Sequence, residues 1–237
     1  MLADYHVHIP PGVADRYPLT KGKRFVLVDT PGFDNVSLSD TEVLRRLAVW
    51  LASAYNAGMK VGGIVYMYPI YPGRITWNDC ANIKVFQKIC GVGGLSKVTL
   101  ATTRWSSCRL QSGESREQEI WRSFWDGRTD APAQSTMARL EDSRQSAWAI
   151  MESIFKTMKG DGVVLALQRQ LVDKGRIFQQ TDAAQELRAK ILRLLKDIMG
   201  GDPSPAVKKR LEELSAEAKA LKIPMSKRIQ ALFSIIT

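Results

Sequence analysis

From Arg24 to Met158, apolar runs of strand length alternate with amphipathic runs of helix length, and few folds accept that alternation. "RFVLVD" (24–29) is continuous and β-branched, the pattern of a strand covered on both faces. In "SLSDTEVLRRLAVWLASAYNAG", Ser39 or Asp40 can cap a helix and Gly58 can stop it. Between them Val43, Leu44, Leu47, Trp50, Leu51 and Tyr55 fall on one helical face. "VGGIVYMYPI" (61–70) is a second buried strand, and "NDCANIKVFQKICG" (78–91) a helix ending at Gly91. "SKVTLATTR" (96–104) is a third strand, followed by the helix "ESREQEIWRSFWDG" (114–127), closed by Gly127. "STMARLED" (135–142) is a candidate fourth strand before the helix "SAWAIMESIFKTM" (146–158). Strands and helices at this spacing predict an α/β domain with a parallel sheet and right-handed crossovers.

The pattern changes after Gly160-Asp161-Gly162. Strand signals stop, and Leu165, Leu171, Val172, Phe178, Leu187, Ile191, Leu194 and Ile198 recur at helical intervals through Met199. One long helix is predicted over 163–199, its apolar face interrupted only by Gly175. "GGDPSP" (200–205) breaks it, and a charged helix over 206–222 and an apolar one, "RIQALFSII", follow. The reading is an α/β domain over 1–160 with a helical extension over 161–237.

Asp29-Thr30-Pro31-Gly32 ends the first apolar strand and is the D-x-x-G by which P-loop GTPases sense a γ-phosphate. A strand-end aspartate can hold Mg²⁺ through water, and a glycine lets a backbone N–H approach a phosphate oxygen. The tetrapeptide by itself is only a turn; its place before a helix and two further strand–helix units gives it weight.

In order along the chain stand "VLVDTPGFDN", "LAVWLASAYNAG", "GGIVYMYPI", "FQKICG", "VTLATTRW", "REQEIWRSFW" and "SAWAI". That series, over roughly residues 24–195, resembles the fungal G domain-containing proteins, relatives of septins and AIG-type GTPases. The resemblance implies a P-loop NTPase-like three-layer sandwich with GTP and Mg²⁺ as cofactors and a helical tail. On it, Asp29 would hold Mg²⁺, Thr30 and Gly32 would lie on the γ-phosphate side, and Thr103 near the base. In that family a further strand lies between the "DTPG" and "GGIVYMY" strands. Without it those two strands either pair directly or stand apart, and residues 4–9 would pair antiparallel with 24–29.

The departures from the family are equally informative. The phosphate loop G-x-x-x-x-G-K-[ST] should lie about fifty residues before "DTPG", and only 28 residues stand before Asp29. "GVGGLSK" (91–97) has Ser96 at the second glycine position, and "TKGKR" (20–24) has Arg24 where Ser or Thr should hold Mg²⁺. The switch threonine is missing too, since Thr20 is the only Ser or Thr before Asp29. "TTRW" (102–105) offers Trp105 where N/T-K-x-D has its base-pairing carboxylate; it could stack on a purine, and a buried structural tryptophan is the plainer reading. Ser146-Ala147 is a short match to the last base-contacting loop. Phe33 cannot orient a water, so hydrolysis should be slow. At about 1.5–3 kcal/mol per charge-assisted hydrogen bond, losing three phosphate contacts forfeits roughly 5–9 kcal/mol, against about 8 for a micromolar complex. Guanine nucleotide is therefore expected to bind weakly or not at all, and the rival reading is a non-catalytic interaction module acting through its tail.

Three other features bear on partners. His6 and His8 form an H-x-H on a candidate strand, but they are the only histidines, too few for a zinc sphere. Cys80, Cys90 and Cys108 contain no C-x-x-C and read as buried reduced thiols. The carboxylates of "SREQE" (115–119) read as a solvated face. The net charge is +10, and from Lys156 onward 16 Lys/Arg stand against 9 Asp/Glu, a surplus of 7. A solvated helix face is the plain explanation, and peripheral contact with an anionic membrane is the functional one; nucleic acid is not favoured. The tail is also the expected contact for a protein partner or self-association. No window approaches the roughly 18 apolar residues of a membrane span, and the N-terminus has no signal-peptide pattern, so a cytoplasmic location is expected.

Overall fold

The computed structural model describes residues 3–9, 11–71, 73–125, 135–158, 160, 162–199 and 204–224. Its α/β part holds two separate sheets. β1 (Ala3–Val7) pairs antiparallel with β2 (Phe25–Asp29), with Ala3 opposite Asp29 and Val7 opposite Phe25. The short helix α1 (Pro11–Arg16) and a 3-10 turn (Pro18–Thr20) join them. β3 (Ile64–Pro69), β4 (Val98–Thr103) and β5 (Thr136–Arg139) form a parallel sheet in that order. Both the antiparallel pairing at the N-terminus and the parallel sheet follow the sequence pattern. Between β2 and β3 there is no ladder, so those two strands stand apart.

Helices cover both faces of the parallel sheet. Leu100, Val98 and Tyr66 meet Ile83, Ile120 and Phe124 of α3 (Trp77–Leu95) and α4 (Leu110–Phe124). On the opposite face Ala101, Val65 and Ala138 meet Ile150 and Ile154 of α5 (Arg144–Thr157). β4 is buried along nearly its whole length, as a central parallel strand should be. β2 and β3 are not. Leu27 is 48% exposed and Met67 59%, which corrects the expectation of strands buried on both faces. An apolar run reports what a strand could bury, while the cover must come from elsewhere. For β2 one such cover is Phe25 packing on Phe155, ring centroids 5.3 Å apart.

A second, larger core is built mainly from helices. α2 (Asp40–Asn56) is capped by Ser39, whose hydroxyl accepts the Glu42 N–H at 3.2 Å. Its Leu44, Ala48 and Leu51 join Val85 and Ile89 of α3. Against them pack Leu165 and Leu167 at the start of α6 (Ala166–Gln168), and Leu187 and Ile191 of α7 (Asp182–Met199). α8 (Pro205–Ala220) adds Leu214 and Ala218. The expected single helix over 163–199 is broken: α6 runs into a π turn (Arg169–Asp173), Gly175 takes φ +58°, and α7 restarts after Thr181. Thr181 is the reason, because its hydroxyl accepts the Ala184 N–H at 3.2 Å and begins a new helix.

α3 also differs from expectation. It bends at Gly91 (φ +66°, ψ 175°) and continues one turn to Leu95. The expected Gly127 stop and the helix "RIQALFSII" lie outside the described residues. Cys90 is buried as expected, whereas Cys80 and Cys108 are half-buried; none of the three is in a disulfide. Among the described residues no helix is long and apolar enough to cross a membrane.

Candidate functional site

After Asp29 the chain runs without regular structure to Ser39. Asp29, Thr30 and Gly32 are exposed there, and the Asp29 carboxylate has no hydrogen-bond or ion-pair partner among the described residues. Thr103 ends β4 in the other sheet, half-buried, its carbonyl accepting the Ile70 N–H at 3.0 Å. Asp29, Thr30 and Gly32 thus share one loop, and Thr103 belongs to another sheet. None of the four lines either of the two cavities described below.

The loop commits its next residues to the helices. Phe33 packs against the helical core. Asp34 takes φ +60°, a left-handed conformation that a short polar side chain tolerates. Its N–H donates to Asp40 Oδ1 at 2.7 Å. Its Oδ2 accepts from Asn78 Nδ2 at 2.6 Å and Asn82 Nδ2 at 2.5 Å, two α3 residues one turn apart.

Lys190 of α7 closes this cluster from the tail side. Its Nζ donates to Asp40 Oδ2 at 2.7 Å, Asp34 Oδ1 at 3.1 Å and Asn82 Oδ1 at 2.5 Å. The lysine side chain is only 1% exposed, so all three of its donors have acceptors where water cannot serve. Partial burial pushes the Asp34 carboxyl up, but the Asn78 bond, the Lys190 charge and the Asn82 bond outweigh it. Its pKa therefore lies below the ordinary value. Asn78 Oδ1 is buried without a partner. Beside the cluster lies a cavity of about 130 Å³, touched by Asp34, Asp40, Arg210 and Glu217. At about 30 Å³ per water, it has room for a few waters and not for a nucleotide.

Sequence reading missed Lys190, yet it left a trace. The residue lies three after Leu187 and four before Leu194, a cation placed on the apolar stripe of its own helix.

A second network lies at the carboxyl end of the parallel sheet. Glu117 is buried, which corrects its assignment to a solvated face. It accepts from Thr102 Oγ1 at 2.8 Å and from Arg139 Nη2 at 2.8 Å, tying α4 to β4 and β5. The Arg139 guanidinium sits 4.1 Å over the Trp105 ring, and Trp105 Nε1 donates to the Thr102 carbonyl at 3.1 Å. Those contacts hold the Trp105 ring in place, half-buried where a buried one was expected. Ser146 turns its hydroxyl back to the Glu141 carbonyl at 2.7 Å.

The donor set does not fit a magnesium–triphosphate. Mg²⁺ prefers six oxygens, and Asp29 brings one exposed carboxylate without a companion. Among the described residues no three His, Cys, Asp or Glu gather around a common point. Lys190, which reaches this loop, is fully engaged by its own carboxylates. His6 and His8 line a different cavity beside β1. In comparisons with known proteins, no family model matches this chain and no curated protein matches it significantly.

Proposed function

We propose that this chain is a pseudo-GTPase: an interaction module on a P-loop NTPase-like frame that binds guanine nucleotide weakly or not at all. It acts through its C-terminal helices on a protein partner or a second copy. The observation that supports this reading is the Asp34–Asp40–Asn82–Lys190 cluster. The loop behind D-x-x-G, which in a nucleotide switch would answer to a phosphate, here answers to a tail helix. The Asp34 and Asp40 carboxylates and the Asp34 amide are engaged by other residues of the protein, while α8 carries Lys208, Lys209 and Lys219 exposed, with Lys222 exposed just beyond it.

The nucleotide-binding reading keeps one supporting observation, the exposed, unengaged Asp29 at a strand end. Titration of a fluorescent GTP analogue with Mg²⁺ against the purified chain separates the two. The expected result is no saturable signal in the low micromolar range, and the same trace for Asp29→Ala. Low-micromolar saturation that Asp29→Ala weakens would establish a working nucleotide site and refute the pseudo-GTPase reading.

A further inference from the structure

We propose that the cavity at the connected end of the β1–β2 pair binds a phosphate monoester carried on a small apolar group. The cavity measures about 510 Å³, within the roughly 300–1,000 Å³ typical of small-ligand pockets. Lys23 and Arg24 give its lining positive charge, His6 and His8 add two imidazoles, and among the described residues no carboxylate lines it. The strand register explains the convergence. His6 stands opposite Val26, and the same pairing continued past Val7 and Phe25 brings His8 opposite Arg24. Side chains two apart on a strand share a face, so both imidazoles project to the side that Arg24 takes on the neighbouring strand.

Three of these groups are available to a ligand. The imidazoles of His6 and His8 and the guanidinium of Arg24 have no hydrogen-bond or ion-pair partner among the described residues, and all three residues are exposed. Lys23 also lines the cavity, its ammonium group donating to the Gly160 carbonyl at 3.5 Å. Ala14 of α1 and Ile9, which lies beyond the paired residues, supply the apolar part of the lining.

The chemistry of this lining selects the ligand. A metal ion would face Lys23 and Arg24 at close quarters, so the H-x-H pair serves better as two N–H donors than as two metal ligands. Arginine matches phosphate and carboxylate oxygens alike. A carboxylate offers two oxygens, whereas a phosphate monoester offers three to a set of three separated donors. The apolar part of the lining asks for a ligand body that inorganic phosphate lacks.

Calorimetric titration of the full chain with phenyl phosphate tests this, alongside inorganic phosphate and vesicles of phosphatidylcholine with or without phosphatidic acid. Phenyl phosphate should bind at one saturable site, tighter than inorganic phosphate. Arg24→Gln and His8→Gln should each weaken it about tenfold or more while leaving the thermal unfolding profile unchanged. Because the chain has only two histidines, both in the cavity, their imidazole proton resonances should shift during the titration. Vesicle binding that phenyl phosphate competes away would identify a lipid headgroup as the source of the phosphate and support the site. Three results would overturn the proposal: no saturation into the millimolar range, unmoved imidazole resonances, or an unchanged affinity in Arg24→Gln. Acidic-vesicle binding that phenyl phosphate fails to displace would do so as well, since it would locate the contact on the outer surface.

Discussion

Lys190 is the residue on which the arrangement of loop and tail depends. It reaches two carboxylates from a position where its ammonium group is almost entirely out of water. Removing one partner of such a buried set leaves uncompensated charge and costs about 3–5 kcal/mol, whereas removing charge from both sides costs much less. Lys190→Met keeps the apolar stem and deletes only the charge. It should lower the urea unfolding midpoint by the equivalent of about 3–5 kcal/mol. Adding Asp40→Asn to it should recover part of that loss, because Asp40 is the more buried carboxylate and the closer one. Equal stability of Lys190→Met and the parent chain would mean that the cluster is a loose surface contact. The residue also marks a limit of sequence reading. Periodicity assigns Leu187, Ile191 and Leu194 to the buried face, and it says nothing of the carboxylates that await a lysine placed among them.

Among the elements, those with a local cause were legible and those shaped by a neighbour were not. α2 could be read from Ser39 and Gly58, the cap and the stop that the structure uses, Gly58 taking φ +77°. β4 could be read because a central strand buries both faces. The burial of β2 was misread, because the cover over a strand belongs to other parts of the fold. The restart of α7 was missed although Thr181-Asp182 is a recognisable cap, since the apolar period runs on through it. At the candidate site, the turn that follows Asp29 at the strand end was visible in the sequence, and the Asn78 and Asn82 contacts to Asp34 beyond it were not.

The bend in α3 belongs to the same class. Gly91 holds a backbone conformation that only glycine adopts readily, and a Cβ there would lie 2.6 Å from the Ala166 Cβ of α6. Backbone strain of about 1–3 kcal/mol and overpacking of similar size should make Gly91→Ala lose roughly 2–6 kcal/mol. Ala166→Gly in the same chain removes the contact and leaves the strain, so urea unfolding should show partial recovery. Full recovery would place the whole cost in packing, and no recovery would place it in the backbone.

At the scale of the molecule, the change of local character near residue 160 does not coincide with an edge of the core. Leu44, Leu51, Val85 and Ile89 precede that point; Leu165, Leu167, Leu187, Ile191 and Leu214 follow it, and all nine share one apolar cluster. α3 sits between this cluster and the sheet, with Val85 and Ile89 turned to the tail and Ile83 and Cys90 to the strands. Truncation after Gly160 would therefore expose four large side chains that are now buried. At about 1.5–3 kcal/mol each, that is roughly 6–12 kcal/mol, comparable with the whole stability of a typical domain at about 5–15. Lys190 would go with the tail, leaving Asp34 and Asp40 unpaired beside α3. The fragment 1–160 should fail to fold as a monomer, appearing in size-exclusion chromatography as aggregate and in circular dichroism without a cooperative melt. A monomeric fragment with a cooperative melt would show that the strands and α2–α5 hold together by themselves. The tail would then be free to leave its seat and carry a partner without unfolding the rest.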